Sequence, residues 1–405
     1  MVSCCIAGCG PAGAVAGYLL ARAGVEVVVL EKHRDFLRDF RGDTIHPSTL
    51  EILHEVGLAE RFLALPHSEV STITARTPAG QTLSFSLARI PSRYRFIAFV
   101  PQWDFLEFLT KEAARFPTFR LMRNAEVIGL MQEGGIVRGV RYRDSSGERE
   151  LPAALTIGAD GRDSITRAAA NLPLVETSPP MDVLWFRLSR RPDEPPAVVG
   201  RLGAGRVLVM LDRREYWQVA YVIAKGTTDE IKAAGLEAFR RGVAEVAPDV
   251  ADRVHEINDW NQVKLLTVRA DRLERWYRPG YLAIGDAAHA MSPIGGVGIN
   301  VAIHDAVAAA NLLWRPLREG RVDEADLARV QHERELPVKI VQRFQSFIQS
   351  TFLKPTLERR REPSLPLALR LLTRTPLVRD LPPRLIALGV RRPHVQAPDA
   401  ITRRA

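Results

Sequence analysis

The sequence holds only three cysteines in 405 residues, Cys4, Cys5 and Cys9, all within its first ten positions. They cannot build a disulfide framework, and no Cys-x-x-Cys pair is present to grip a metal. They read as reduced, small core residues of a cytoplasmic protein. Asp286, His289, His304 and Asp305 lie close in sequence, but their spacing follows no zinc pattern, so no metal centre is expected. No apolar run reaches the roughly 18 residues of a membrane-spanning helix. The apolar N-terminus lacks the basic flank of a secretion signal. Internal repeats and low-complexity tracts are missing too, which excludes solenoid architectures.

A charge of one sign spread along the whole chain is also absent. The net charge is +9, and from position 341 onward 13 Arg or Lys face 4 Asp or Glu. That surplus equals the net charge of the entire protein, so the first 340 residues are balanced. A balanced body carries no electrostatic footprint for nucleic acid, and none is expected as a partner. The basicity reads as a C-terminal appendage.

What is present is an ordinary globular composition, 46% hydrophobic and 25% charged, in a chain long enough for two interlocked domains. "SCCIAGCG" reads as a buried strand that breaks at glycine. Ala12, Val15, Ala16, Leu19, Leu20 and Ala23 follow as the stripe of a buried helix. "VEVVVLE" is a second strand, so the chain opens as a βαβ unit. A helix follows around "PSTLEILHEVGL", then alternating strands near 70–100, an amphipathic helix at "QWDFLEFLTKEAARF", and a meander ending in "ALTIGADG". Residues 180 to 270 hold strand-like runs separated by polar, Pro-rich turns. An apolar strand at "YLAIGDAAH" then leads to a long helix from about Gly298.

Three motifs sit at strand ends. Gly8-x-Gly10-x-x-Gly13, with Pro11 and Ala12 inside it, joins the first strand to the first helix. The first glycine makes the tight turn, the second admits a pyrophosphate, and the third allows close helix–strand packing. The helix N-terminus offers free N–H groups to a phosphate. Glu31, followed by Lys32, ends the second strand and is placed for ribose hydroxyls. Asp160 and Gly161 follow a further strand and precede a helix near Ser164. Gly285-Asp286 ends "YLAI" and runs through "AAHAMSPIGGVGIN" into the last long helix. A nicotinamide site alone needs no second glycine turn so far away, whereas FAD is long enough to use both.

In this order and separation, the three motifs resemble the single-component flavin-dependent aromatic hydroxylases, the para-hydroxybenzoate hydroxylase-like family, over residues 1 to about 340. The resemblance implies an α/β fold in which an FAD-binding Rossmann-like domain is interleaved with an antiparallel β-sheet substrate domain, followed by C-terminal helices. Residues 1–72, 98–178 and 270–340 would form the discontinuous FAD domain. Residues 73–97 and 179–269 would form the substrate domain, and 341–405 the basic helical segment. Gly8, Gly10, Gly13, Glu31 and their neighbours would hold the ADP part of FAD. Arg41 would contact the pyrophosphate, and Gln102 stands where the family touches FAD. Asp160 and Gly161 match a motif implicated in FAD and NAD(P)H binding, and Asp286 the acid that holds the ribityl chain. Pro293 and the turn through Gly295, Gly296, Val297 and Gly298 to Ile299 and Asn300 would border the isoalloxazine. Many relatives carry Gln where this chain has Val297, so no role for that Gln transfers.

The activity implied is hydroxylation or epoxidation of an apolar aromatic or polyunsaturated small molecule, with NADPH or NADH and O2, through a flavin C4a-hydroperoxide. Pro293, Gly295 and Gly296 are the candidate catalytic positions, since their backbone borders the reacting ring. His46 is a candidate for proton transfer, or alternatively for a structural hydrogen bond. No second Gly-x-Gly-x-x-Gly exists for a dedicated nicotinamide domain, so the reductant is expected to dock transiently. An FAD-dependent reductase of isoprenoid-type double bonds, or a flavin-binding sensor, shares the same architecture and stays open. Trp185, Trp217 and Tyr221 are candidates for the substrate pocket. The Leu- and Arg-rich C-terminus, broken by prolines, reads as helices packed on the enzyme, with contact to a membrane surface the less favoured alternative. Oligomeric state is not legible.

Overall fold

The computed structural model describes residues 1–37, 44–77, 80–194, 197–203, 205–358 and 380–400. Its centre is the strand Val2–Ala7, which pairs in parallel with Val27–Glu31 on one side and Gly147–Gly158 on the other. Phe119–Arg123 and Tyr281–Ala283 extend this sheet outward, again in parallel. Cys4, Cys5, Ile6, Val27, Val28 and Val29 are all buried, as expected of β-branched and small residues in strands covered on both faces. All three cysteines are therefore core side chains. The helices Pro11–Arg22 and Gly298–Arg318 pack against each other over this sheet. The second of these is apolar enough by composition to cross a membrane, yet 78% of that window is buried inside the protein.

The second sheet has seven strands and is antiparallel except at one joint, where Thr72–Arg76 runs parallel to Val198–Gly203. That exception arises because the chain enters the sheet from the first domain and returns to it more than a hundred residues later. Its two faces separate cleanly by residue parity. Leu184, Phe186 and Leu188 join Trp217, Val219 and Tyr221 on the outer face, under Phe239 and Val243. Val183 and Ala220, with the half-buried Trp185, point the other way, where Ile294 of the second glycine loop meets them. Of the three aromatic pocket candidates, only Trp185 thus faces the first domain.

The outer cover is the helix Leu236–Val246, followed by a helical turn at Pro248–Glu256. Residues 180 to 270 read from sequence as strand-like runs, so this helix departs from expectation. The pattern "LEAFRRGVAEV" nonetheless carries the amphipathic period of a helix.

The last long helix, Glu324–Ile348, passes position 340 without interruption. Residues 380–400 then lie against the body, where Arg22 donates to the Ala397 carbonyl at 3.0 Å and Ala400 N–H to the Arg22 carbonyl at 2.9 Å. This described part of the basic tail is packed on the enzyme; residues 359–379 and 401–405 lie outside the described residues.

Phe239 is the keystone of the outer face, with ring contacts to Phe186, Tyr221 and Trp260 at 5.3–5.5 Å. Phe239→Ala is expected to cost about 3–5 kcal/mol in denaturant unfolding. The absorbance spectrum of bound flavin before the transition should not change, because the outer face does not touch the glycine turns.

Candidate functional site

Parallel pairing places the ends of three strands side by side. Gly8 follows the first, Glu31 closes the second, and Asp160 follows the strand ending at Gly158. Gly8 takes φ +93°, and a Cβ on Gly13 would stand 2.0 Å from the Gly8 carbonyl oxygen. Only glycine allows the helix to begin this close to the strand. Around Gly10, by contrast, no protein atom lies within 4 Å of an added Cβ. The backbone there is open toward the start of the helix, where Pro11 occupies the first position. Glu31 is buried and held by the N–H groups of Cys9 and His33, both at 3.1 Å. Its carboxylate is therefore fixed beside the turn, as a ribose-binding acid must be. An open glycine backbone, a helix N-terminus and an anchored acid fit the ADP portion of FAD.

Lys32 lies exposed beside Glu31, and Gln102 begins the helix Gln102–Ala113. Arg41 lies outside the described residues. Asp160 has a local duty: its carboxylate accepts from Thr166 N–H and Oγ1, both at 2.9 Å, and from Ser164 Oγ, so it ties down the start of the next helix. Gly161, at φ +86°, faces open space. Arg162, not singled out from the sequence, donates to Asp286 at 3.1 Å. Its place directly after Asp160-Gly161 was the available signal.

The second glycine loop meets the first. A Cβ on Gly285 would stand 3.0 Å from Ala12 and 3.1 Å from Ala302, so the turn is wedged between the two helices. Asp286 is partly exposed at its edge. Farther on, Gly296 takes φ +62° with Thr44 pressed against it, and Thr44 Oγ1 donates to the Gly296 carbonyl at 2.9 Å. Asn300 clamps this junction. Its Oδ1 accepts from His46 N–H at 2.9 Å and Thr49 Oγ1 at 2.7 Å, while its Nδ2 donates to the Thr44 carbonyl at 3.1 Å. Pro293 precedes the turn, and its carbonyl accepts the Gly296 N–H at 3.0 Å. Val297 and Ile299 are turned into the core, and Gly298 opens the long helix. The position where relatives carry Gln is here a packing position.

Three side chains of the helix Glu324–Ile348 hold the loop from behind. Gln342 donates to the Ala290 carbonyl at 3.3 Å, and Gln345 to those of Ser292 and Ile294 at 2.8 and 2.9 Å. Arg334 donates to Asp305 at 3.0 Å; Asp305 also accepts from Gly285 N–H at 3.1 Å and pairs with His289 at 2.6 Å. His289 and Asp305 are thus partners in a buried ionic cluster. Nothing in the sequence pairs Arg334 with Asp305, because the contact depends on how two helices cross.

His46 is fully buried, and its Nδ1–H donates to the Ile386 carbonyl at 2.7 Å. Burial pushes its pKa down to about 4 from the usual 6.5, so the ring is neutral near pH 7. Among the described residues its Nε2 has no partner. Its Nδ1 bond ties the ring to the C-terminal segment.

Asp305→Ala leaves Arg334, 1% exposed, without its partner. The expected loss in urea unfolding is about 3–5 kcal/mol, and a double change of Asp305 and Arg334 to apolar residues of similar volume should cost less than the single change. A depressed histidine pKa makes the folded state refuse a proton that the unfolded chain accepts. The contribution of His46 is therefore complete above about pH 6.5 and is lost as pH falls toward 4, by about 3 kcal/mol. Melting temperature plotted against pH should be flatter in His46→Gln over that window; an unchanged slope would assign the loss to other groups.

A family model described as an FAD binding domain matches residues 1–345. The chain is 31% identical over 388 residues to 6-methylpretetramide 4-monooxygenase of Streptomyces rimosus, covering 95% of this chain and 92% of that protein. It is 26% identical over 333 residues to dialkyldecalin synthase of Streptomyces rugosporus, covering 76% of this chain and 64% of that longer protein. Among solved structures it resembles PqsL, a probable FAD-dependent monooxygenase from Pseudomonas aeruginosa, with a TM-score of 0.76, 21% identity and coverage of 88% of this chain and 98% of that one. The last likeness supports the fold, and the match across 345 residues supports the lineage. With two glycine turns and their acids gathered at one sheet edge, the chain belongs to the FAD-binding-domain family and is an FAD-dependent oxidoreductase of the monooxygenase class.

Proposed function

We propose that the enzyme uses NADH or NADPH and O2 to insert one oxygen atom into an apolar aromatic or polyunsaturated small molecule, with multi-ring aromatics of the pretetramide kind as the first choice. The observation that carries this reading is the position of the second glycine loop. Ile294 lies against the inner, apolar face of the seven-stranded sheet, so the loop expected to border the flavin ring also faces the surface expected to take a substrate. The name of the relative that covers 92% of its own length supports the substrate class.

When bound, FAD would supply the redox chemistry and the activation of oxygen. The protein's part is to bind, orient and exclude water. Gly8, Gly10 and Gly13, with Pro11 and Ala12, would cradle the pyrophosphate; Glu31 would take ribose hydroxyls and Asp286 the ribityl chain. Lys32, Gln102, Asp160 and Gly161 remain assigned to the cofactor's surroundings, with Arg41. Backbone N–H groups of the glycine turn would stabilise charge developing at the ring. Gly296 has given its N–H to Pro293, so Gly295, Val297 and Gly298 are the remaining candidates. Ile299 and Asn300 would keep the turn in place. The apolar sheet face would keep the chamber dry, which limits loss of activated oxygen as peroxide.

The test is NAD(P)H oxidation by the FAD-loaded enzyme across a panel of phenols, quinolones, polyenes and multi-ring polyphenols, with peroxide followed in parallel. A compound that accelerates oxidation, keeps peroxide low and gains one oxygen by mass supports the reading. If a compound instead gains two hydrogens and no oxygen by mass, with NAD(P)H consumed equally without O2, the double-bond reductase reading replaces it. A compound that rearranges without consuming NAD(P)H would instead point to ring-forming chemistry of the dialkyldecalin synthase kind.

A further inference from the structure

We infer that the C-terminal segment forms one wall of the substrate chamber, and that Ile386 within it is a specificity-determining residue. The inference rests on the placement of the flavin ring beside the Gly295–Gly298 turn made above. The helix Leu381–Leu388 starts with Pro382 and Pro383 in its first turn and is ended by Gly389 at φ +70°. These signals fix a short helix of defined length in a stretch that reads from sequence as basic helices packed on the enzyme.

This helix occupies the junction between the two sheets and the glycine loop. Ala387 is fully buried among Val70, Ile97, Phe99 and Val198, and Leu388 packs on the same cluster. Val198 belongs to the seven-stranded sheet, while Ile97 and Phe99 belong to the small sheet that carries Thr44 and Ile45. One residue earlier, Ile386 turns to the other side. Its carbonyl takes the His46 Nδ1–H, and its side chain lies 3.6 Å from where a Cβ on Gly295 would be. Gly295 is exposed and has no side chain of its own. Apart from Val297 of the turn itself, at 3.5 Å, Ile386 is the nearest side chain to that position.

The wall is held in place by the residues that follow it. Arg392 lies 3.7 Å from both Glu51 and Glu55, and Val395 N–H donates to Glu55 at 2.8 Å. Asn311 accepts the N–H groups of Gln396 and Ala397 and donates to the His394 carbonyl at 2.7 Å. These contacts bind the segment to helices of the FAD domain. The fixed backbone at Ile386 means that its side-chain volume, rather than segment mobility, sets how far a flat aromatic can extend past the turn.

The experiment compares full-length, FAD-loaded Ile386→Ala and Ile386→Phe with the wild type, and Leu381→Ala as a control on the exposed side of the same helix. One readout is iodide quenching of bound-flavin fluorescence, which reports access to the ring without any substrate. The other is the dissociation constant for aromatic ligands of one to four rings, read from perturbation of the flavin absorbance. Ile386→Ala is expected to steepen quenching and to shift preference toward the larger ligands by about tenfold. Ile386→Phe should shift both in the opposite direction, and Leu381→Ala should change neither. Unchanged quenching in both Ile386 variants removes the wall and the inference with it. Changed quenching with an unshifted ligand preference overturns the specificity role. Neither readout requires turnover, so failure of the oxygenase reading would be seen separately, as an enzyme that selects ligands but oxygenates none.

Discussion

Hydrogen bonding of Val2–Ala7 between two strands that run in its own direction sets the direction of everything built around it. With Val27–Glu31 and Gly147–Gly158 in parallel register on either side, the chain must leave all three strands at the same edge. Tyr281–Ala283 joins in the same sense, so the second glycine loop departs from that edge as well. A ligand laid along it meets one glycine turn, an anchored acid, a second acid and another glycine turn. No single segment of the sequence contains that site. It exists because segments more than a hundred residues apart are locked into one sheet.

The second loop needs more support than the first because it is not merely a strand-to-helix turn. Between Gly285 and Gly298 the backbone is irregular, and its carbonyls would be costly to bury without donors. Gln342 and Gln345 supply them from the long C-terminal helix. The Asp305–Arg334 pair serves differently. Burying both charges has a desolvation cost that their attraction only partly offsets, so stability alone does not account for it. Its carboxylate also takes the Gly285 N–H, which ties the crossing of two helices to the orientation of the turn that ends in Asp286. A pair of this kind fixes register where apolar packing would permit sliding.

The glycine turns, Glu31, Asp286 and the strand-helix alternation were legible because each is a local pattern with a local cause. A glycine forced by a carbonyl 2.0 Å away, or an acid at a strand's last residue, leaves its mark within a few positions. Asp160 shows the limit of that reading. Its position was legible, but its use as an anchor for Ser164 and Thr166 depends on a turn geometry that the spacing only suggests. Alternation in "DVLWFRL" and "WQVAYVIA" likewise told which residues share a face, without telling which face meets the flavin domain. Arg334, Gln342 and Gln345 are not legible because a partner 29 to 71 residues away leaves no periodic signal. The C-terminal segment reads as helices packed on the enzyme, and residues 380–400 are so packed; where they dock is not legible, because Leu and Arg in short proline-bounded helices look the same on a surface as in a seat.

Residues near the C-terminus return to the FAD domain at two places: Ala400 N–H donates to the Arg22 carbonyl at the far end of the first helix, and Ile386 lies beside the turn that precedes the helix Gly298–Arg318. The outer face of the seven-stranded sheet is sealed by its own following helices, a closure made from neighbouring sequence. Its inner face is covered by segments from elsewhere in the chain, Ile294, Leu353 and Leu388 among them. Among the described residues, distant segments cover this face, so it can be reshaped by changing those segments with the sheet left intact. On the proposed reading, that division assigns stability to the outer face and substrate choice to the inner one.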